Sequence, residues 1–129
     1  MFRKILFKLI NLLKTFKKKE LIVDFKYMKI QSILYVLQKY GIIYNYKICK
    51  VSNKLSITAR RESLMDVRLI NKVMYISYYK LSSLIKKNPF CIFIISTTIG
   101  ILDNEKILRL KLGGYFLFII KPKNSLIIF

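Results

Sequence analysis

Histidine and tryptophan are missing from this 129-residue chain, and acids are scarce: six Asp and Glu stand against 25 Lys and Arg, giving a formal charge of +19. Without histidine the Ser-His and Cys-His nucleophile arrangements are excluded. Glu20, Asp24, Glu62, Asp66, Asp103 and Glu105 lie dispersed, with no paired-carboxylate or metal-binding set among them. The four glycines form no phosphate-cradling motif. Cysteine is limited to Cys49 and Cys91, each inside an apolar segment. They read as buried reduced thiols, with a disulfide or redox role as the alternative; two soft ligands without histidine do not make a structural zinc site. The sequence therefore predicts a protein that is not an enzyme, with no cofactor, metal or small-molecule substrate.

Long hydrophobic runs are also lacking. The longest, residues 90–95 and 115–120, are of strand length, whereas a spanning helix needs about 18 apolar residues. What the chain does have is 54% hydrophobic and 14% aromatic residues, enough to bury a core, so its basicity is not that of a disordered tail. Surface Lys and Arg in such excess attract polyanions, nucleic acid first and anionic lipid second. A bias toward Ile, Lys, Tyr, Phe and Asn matches an A+T-rich coding sequence of the kind found in organelles.

Along the chain, Phe2, Ile5, Leu6, Leu9, Ile10, Leu13 and Phe16 form one face of a basic amphipathic helix. It reads as a core-packed first helix. Its alternative uses are a targeting segment or a membrane-surface helix, although Lys8 and Asn11 interrupt any secretory apolar core. A short strand over 21–25 follows, then a helix over 28–40 with Gly41 as left-handed cap. Strands over 42–51 and 55–60 form a hairpin through Ser52-Asn53-Lys54. The apolar pattern lapses around Arg60-Arg61-Glu62-Ser63, which marks a boundary between an N-terminal α/β lobe, 1–66, and a mostly β C-terminal lobe, 67–129. In the second lobe residues 67–76 read as extended and 81–87 as a short helix ended by Asn88-Pro89. The run 90–95 reads as a strand buried on both faces. A helix begins near Asp103, capped by its carboxylate, with Glu105 pairing Arg109, and Gly113-Gly114 stops it before a final strand over 115–120. The fold class is α/β (α+β).

The sequence's main chemical feature is Ser96-Thr97-Thr98-Ile99-Gly100. Three hydroxyls at the end of a rigid strand offer short donors and acceptors to ribose 2′-OH groups, phosphates and base edges of A-form RNA, and Gly100 permits close approach to the main chain. The competing reading is that they only satisfy turn and helix-start N–H groups. Gly113 and Gly114 read as a helix cap and the tight start of a core strand, with RNA proximity secondary. Tyr75, Tyr78 and Tyr79 beside Lys80 are a basic-aromatic mixture suited to stacking; strand alternation puts Tyr75 and Tyr79 on one face and Tyr78 on the other. Lys17, Lys18 and Lys19, with Arg60-Arg61 and Lys86-Lys87, are solvated runs that become phosphate contacts if the partner is RNA. Neutralising six to ten phosphates lowers affinity roughly 10³- to 10⁵-fold between 50 and 200 mM salt.

The order strand, Ser-Thr-Thr-x-Gly, helix, Leu-Gly-Gly, strand resembles the bacterial-type family of the eighth small-subunit ribosomal protein. The likeness needs no gap across residues 90–120, where that family has Ser-Thr-Ser-x-Gly and Gly-Leu-Gly-Gly and this chain has Ser96 to Gly100 and Lys111-Leu112-Gly113-Gly114. Val36-Leu37 and Gly41-Ile42-Ile43 are similar to the family's second helix and following strand. Departures are Asn71-Lys72-Val73 for Arg-Pro-Gly, Tyr115 for an acid, and Ser77 at the place of a family tyrosine, one residue before Tyr78. Lys8 and Asn11 stand where the family's first-helix arginines are sought. Residues 121–129 continue past the family's last strand, either as a dock for a neighbouring protein or as an extra edge strand.

The resemblance implies a two-lobed α/β protein that binds the central domain of small-subunit rRNA and stabilises it during assembly. It implies RNA contact at Ser96, Thr97, Thr98 and Gly100, with Tyr78, Gly113 and Gly114 nearby, and neighbouring small-subunit ribosomal proteins as partners; the charge and the basic-aromatic pattern add Lys80 and Lys17, Lys18 and Lys19. Composition adds a mitochondrial ribosome as the expected location, a plastid second, and organelle encoding in place of an import signal. The rival expectation is a peripheral membrane protein anchored by the helix over 2–16.

Overall fold

A computed structural model describes residues 20–24, 29–49, 54–59, 65–70 and 72–129. The helix expected over 2–16, the run Lys17, Lys18 and Lys19, the turn residues Ser52 and Asn53 and the polar stretch 60–63 lie outside the described residues. The fold is α+β, with helices set on antiparallel sheets, and it divides into two compact units, Met1–Leu64 and Met65–Phe129. No helix among the described residues is long and apolar enough to cross a membrane.

In the first unit, β1 (Glu20–Asp24), β2 (Ile43–Cys49) and β3 (Lys54–Ala59) form an antiparallel sheet in the order β1-β3-β2, with α1 (Lys29–Lys39) between β1 and β2 in sequence. The helical spacing buries Ile33, Leu34 and Leu37 completely and leaves Tyr35 and Gln38 in solvent. Gly41 ends α1 at φ 77°. Its N–H donates to the Gln38 carbonyl at 3.2 Å while the Ile42 N–H donates to that of Leu37 at 2.9 Å, the paired bonds of a Schellman cap. Cys49 is exposed, a correction to the buried thiol expected there. It shares the outward parity of Asn45 and Lys47 on β2, which an apolar neighbourhood in sequence does not reveal.

The second unit is built on β8 (Gly114–Pro122). One edge of β8 pairs with β4 (Met65–Leu69) and, further along, with β5 (Tyr75–Ile76); the other pairs with β6 (Ile92–Thr97), which in turn carries β7 (Gly100–Leu102). Two helices, α2 (Tyr78–Lys87) and α3 (Asn104–Leu110), complete it. Leu81 and Leu84 of α2 and Ile107 of α3 bury against Phe93, Ile95, Phe116 and Ile119 of the sheet. The rings of Phe93 and Phe116 lie 5.8 Å apart. Each such side chain contributes about 1.5–3 kcal/mol by leaving water. The middle of the 90–95 run is buried on both faces, as expected, but Phe90 precedes β6 and is 77% exposed. The turn closed by the Cys91 N–H on the Asn88 carbonyl delays the strand to Ile92.

Capping explains the helix boundaries. Asp103 caps α3 as expected, its Oδ1 accepting from the Lys106 N–H at 3.2 Å. Asn104 then extends the edge of β6 where β7 stops: its Nδ2 donates to the Cys91 carbonyl and its Oδ1 accepts from the Phe93 N–H, both at 2.8 Å. α3 stops at Lys111, which adopts the left-handed conformation at φ 53°, so the expectation that Gly113-Gly114 caps this helix is corrected. α2 begins at Tyr78, earlier than expected, because Ser77 caps it by accepting from the Lys80 N–H. The segment 123–129 forms no strand; it folds back onto its own unit, where Asn88, 5% exposed, bonds the Ile128 carbonyl and N–H at 2.7 Å each.

Candidate nucleic-acid interface

The hydroxyl cluster occupies the β6–β7 hairpin. Thr97 pairs with Gly100 across it, so Thr98 and Ile99 form the loop. Neither loop residue has a positive φ; the reversal is completed by Gly100 at φ 126°, a conformation that side chains rarely adopt. Thr97 serves the turn itself: its Oγ1 accepts from the Ile99 N–H at 3.2 Å and donates to the Gly100 carbonyl at 2.9 Å. The hydroxyls of half-buried Ser96 and exposed Thr98 engage no partner among the described residues. The turn reading of the cluster therefore holds for Thr97, while the Ser96 and Thr98 hydroxyls take no part in closing the turn.

The double glycine fixes what stands beside this hairpin. A Cβ on Gly114 would lie 2.6 Å from the Ser96 carbonyl oxygen and 2.9 Å from the Thr97 methyl; one on Gly113 would strike the Ile76 carbonyl and come within 3.0 Å of the Tyr78 nitrogen. The start of β8 can thus lie in contact with both the end of β6 and the start of α2 only because these positions lack side chains. Ser96, Thr97, Gly113, Gly114 and the backbone of Tyr78 converge at one end of the sheet, with Thr98 and Gly100 completing the hairpin and exposed Lys80 in the adjoining helical turn. Lys17, Lys18 and Lys19 fall outside the described residues.

Sequence alternation misplaced the tyrosines. Tyr78 and Tyr79 sit in the first turn of α2, not in a strand; Tyr78 is half-buried against the core and Tyr79 is exposed. Two further tyrosines, Tyr75 and Tyr115, stand on the strands at this end of the sheet. They are cross-strand neighbours on β5 and β8, 63% and 51% exposed, with ring centroids 5.5 Å apart and an interplanar angle of 81°. Ser96 pairs directly with Tyr115 on its other side, so all three side chains project from the same face. The sequence showed Tyr115 only as a departure where an acid was expected; its partnership with a residue forty positions earlier has no local signal.

The electrostatic setting favours an anionic partner. Residues 65–129 contain ten Lys and Arg and three acids, and one of those acids, Asp103, is buried as a helix cap. A surface with open hydroxyls, exposed aromatic rings, a glycine closing the turn and excess positive charge can bond ribose and base edges, stack on bases and neutralise phosphates.

A protein-family model described as ribosomal protein S8 matches residues 5–120, all but the first four and last nine positions of the chain. No curated protein matches it.

Proposed function

The chain belongs to the ribosomal protein S8 family, and from that premise we propose that it is a structural constituent of the small ribosomal subunit, binding the central domain of small-subunit rRNA directly and stabilising it during assembly. The observation that carries this reading is the convergence of Ser96, Thr98, Gly100, Gly113 and Gly114 at one end of the second unit's sheet, with the Ser96 and Thr98 hydroxyls unengaged among the described residues. Phosphate contacts from the Lys and Arg excess supply affinity and register, and the hydroxyl hairpin supplies selection for RNA shape and 2′-OH groups. The match begins at Ile5, inside the amphipathic segment, which favours that segment as part of the RNA-binding protein over a separate membrane anchor. Neighbouring small-subunit proteins are its protein partners.

The A+T-type composition supports a mitochondrial ribosome, with a plastid ribosome as second choice. Binding of the purified protein to a central-domain rRNA fragment, against a scrambled RNA of equal length, tests the molecular reading. Selective binding that weakens steeply with salt is expected, and equal binding to both RNAs overturns it. Gradient sedimentation of organelle lysates tests the location: the protein travels with the mitochondrial small subunit, and co-migration with the plastid subunit reassigns it.

A further inference from the structure

We propose that segment 123–129 and the turn after α2, at the end of the second unit's sheet opposite the hairpin, dock a protein segment of apolar side chains flanked by carboxylates. The site rests on the small-subunit reading above and names the surface and the chemistry that hold a neighbouring protein. The family match stops at residue 120, so the segment lies beyond the matched part of the chain. Its backbone is nonetheless fixed. The Ser125 N–H and hydroxyl both donate to the Pro122 carbonyl, at 3.2 and 2.7 Å, and turn the chain back with Asn124 at φ 64°. The Lys121 ammonium donates to the Ser125 carbonyl, and Ile127 packs against the core. Buried Asn88 then bonds Ile128 by both its main-chain groups, as a neighbouring strand would.

Held in this way, the segment turns its largest apolar groups outward. Leu126 is 90% exposed and Ile128 and Phe129 are 60% and 61% exposed, with exposed Phe90 in the turn that Asn88 opens. The Arg68 guanidinium of β4 lies 5.4 Å from the Phe129 ring centroid, which positions that ring as well. Apolar groups ordered by buried hydrogen bonds and left in water carry the entropy cost of order without the return from burial. A partner that covers them supplies that return, and it finds the order already in place.

Charge identifies the partner. Lys86 and Lys87 end α2 just before Asn88, and Lys123 opens the segment; all three are exposed and engage no carboxylate among the described residues. Asp66 of β4 stands opposite Lys121 in the strand pairing. A second copy of the chain would bring the same lysines against these, and like-charge repulsion opposes it. The aliphatic side chains of Leu126 and Ile128 offer RNA bases no ring to stack on. A protein segment that is both acidic and apolar satisfies both halves of the surface, covering the apolar groups and neutralising the lysines.

The test treats purified small subunits with a carbodiimide, which joins lysine amines to carboxylates already in contact, and identifies the joined peptides by mass spectrometry. Lys86, Lys87 or Lys123 is expected to be joined to Asp or Glu of another protein, in a stretch that also carries apolar residues. That protein is then titrated against the purified chain bound to the central-domain fragment. Combining Leu126→Ser with Ile128→Ser weakens the binding roughly tenfold or more, while the fragment itself is bound as tightly as by wild type. Vesicles of phosphatidylcholine with phosphatidylglycerol form a separate arm. The site is overturned by coupling only to a second copy or within the chain itself, or by full binding of the double-serine variant. Vesicle binding that this variant loses, without coupling to another protein, reassigns the surface to a membrane and overturns the site too. A wild type that is absent from small subunits and binds the fragment no better than scrambled RNA overturns the ribosomal reading instead.

Discussion

Substituting Gly114 by alanine tests whether the double glycine is there for close strand contact. The added Cβ would stand 2.6 Å from the Ser96 carbonyl oxygen, where ordinary contact begins near 3.4 Å, so the strands must part by about 0.8 Å. No rotamer change relieves this, because the obstructing atom is backbone in the β6–β8 pairing that joins Ser96 to Tyr115 and Ile95 to Phe116. Overpacking of this kind costs about 1–3 kcal/mol, and weakening one or two ladder bonds adds roughly 0.5–1.5 kcal/mol each. The gain from restricting the unfolded chain returns only about 0.4–1 kcal/mol. The expected net loss is about 2–3 kcal/mol, a fall in Tm of roughly 10 °C. Gly100→Ala is the control: nothing lies within 4 Å of its Cβ, so its cost is the φ strain alone, about 1–2 kcal/mol in an exposed turn free to rearrange. Thermal melts followed by circular dichroism decide between them. A Gly114→Ala protein melting within about 2 °C of wild type, or above Gly100→Ala, refutes the close-packing argument.

Other substitutions test other joints. Asn88→Ala removes the amide that bonds the Leu84 carbonyl and both polar groups of Ile128; a loss of about 2–3 kcal/mol in urea unfolding and faster proteolysis of the 123–129 segment are expected, and unchanged stability would show that the clamp contributes nothing. Burial pushes the Cys91 thiol above its ordinary pKa, with the Lys121 ammonium opposing, so at neutral pH Cys91 stays a protonated, shielded thiol while Cys49 is exposed. Native protein should therefore react with a thiol reagent at one equivalent quickly and at the second only on unfolding, and two fast equivalents would contradict the assignment.

Much of the architecture was legible because local physics decided it. The period of Ile33, Leu34 and Leu37, the glycine after it and the Asp103 cap each carry their signal within a few residues, and the structure forms α1 and α3 where they indicate. Errors arose where a distant contact or a weak cap governed. Ser77 starts α2 without an acidic residue three positions on, so the following tyrosines looked like strand. Lys111 takes the left-handed cap that the nearby glycines suggested for themselves. In the candidate site, hydroxyl chemistry could be read from Ser96, Thr97 and Thr98. Which of them the turn consumes could not, since that depends on the register Thr97↔Gly100. The Tyr75–Tyr115 pair and the Asn88–Ile128 clamp each join residues forty positions apart, a pairing that only the folded unit creates.

The most direct measurement compares wild type with a Ser96→Ala, Thr98→Val double variant for binding to the central-domain rRNA fragment and to scrambled RNA at moderate salt, Thr97 being left in place to hold the turn. Losing two hydroxyl bonds at about 1 kcal/mol each predicts a fall of roughly tenfold to thirtyfold in preference for the fragment, with scrambled-RNA binding unchanged. A folded double variant that keeps its full preference contradicts the claim that this hairpin reads RNA.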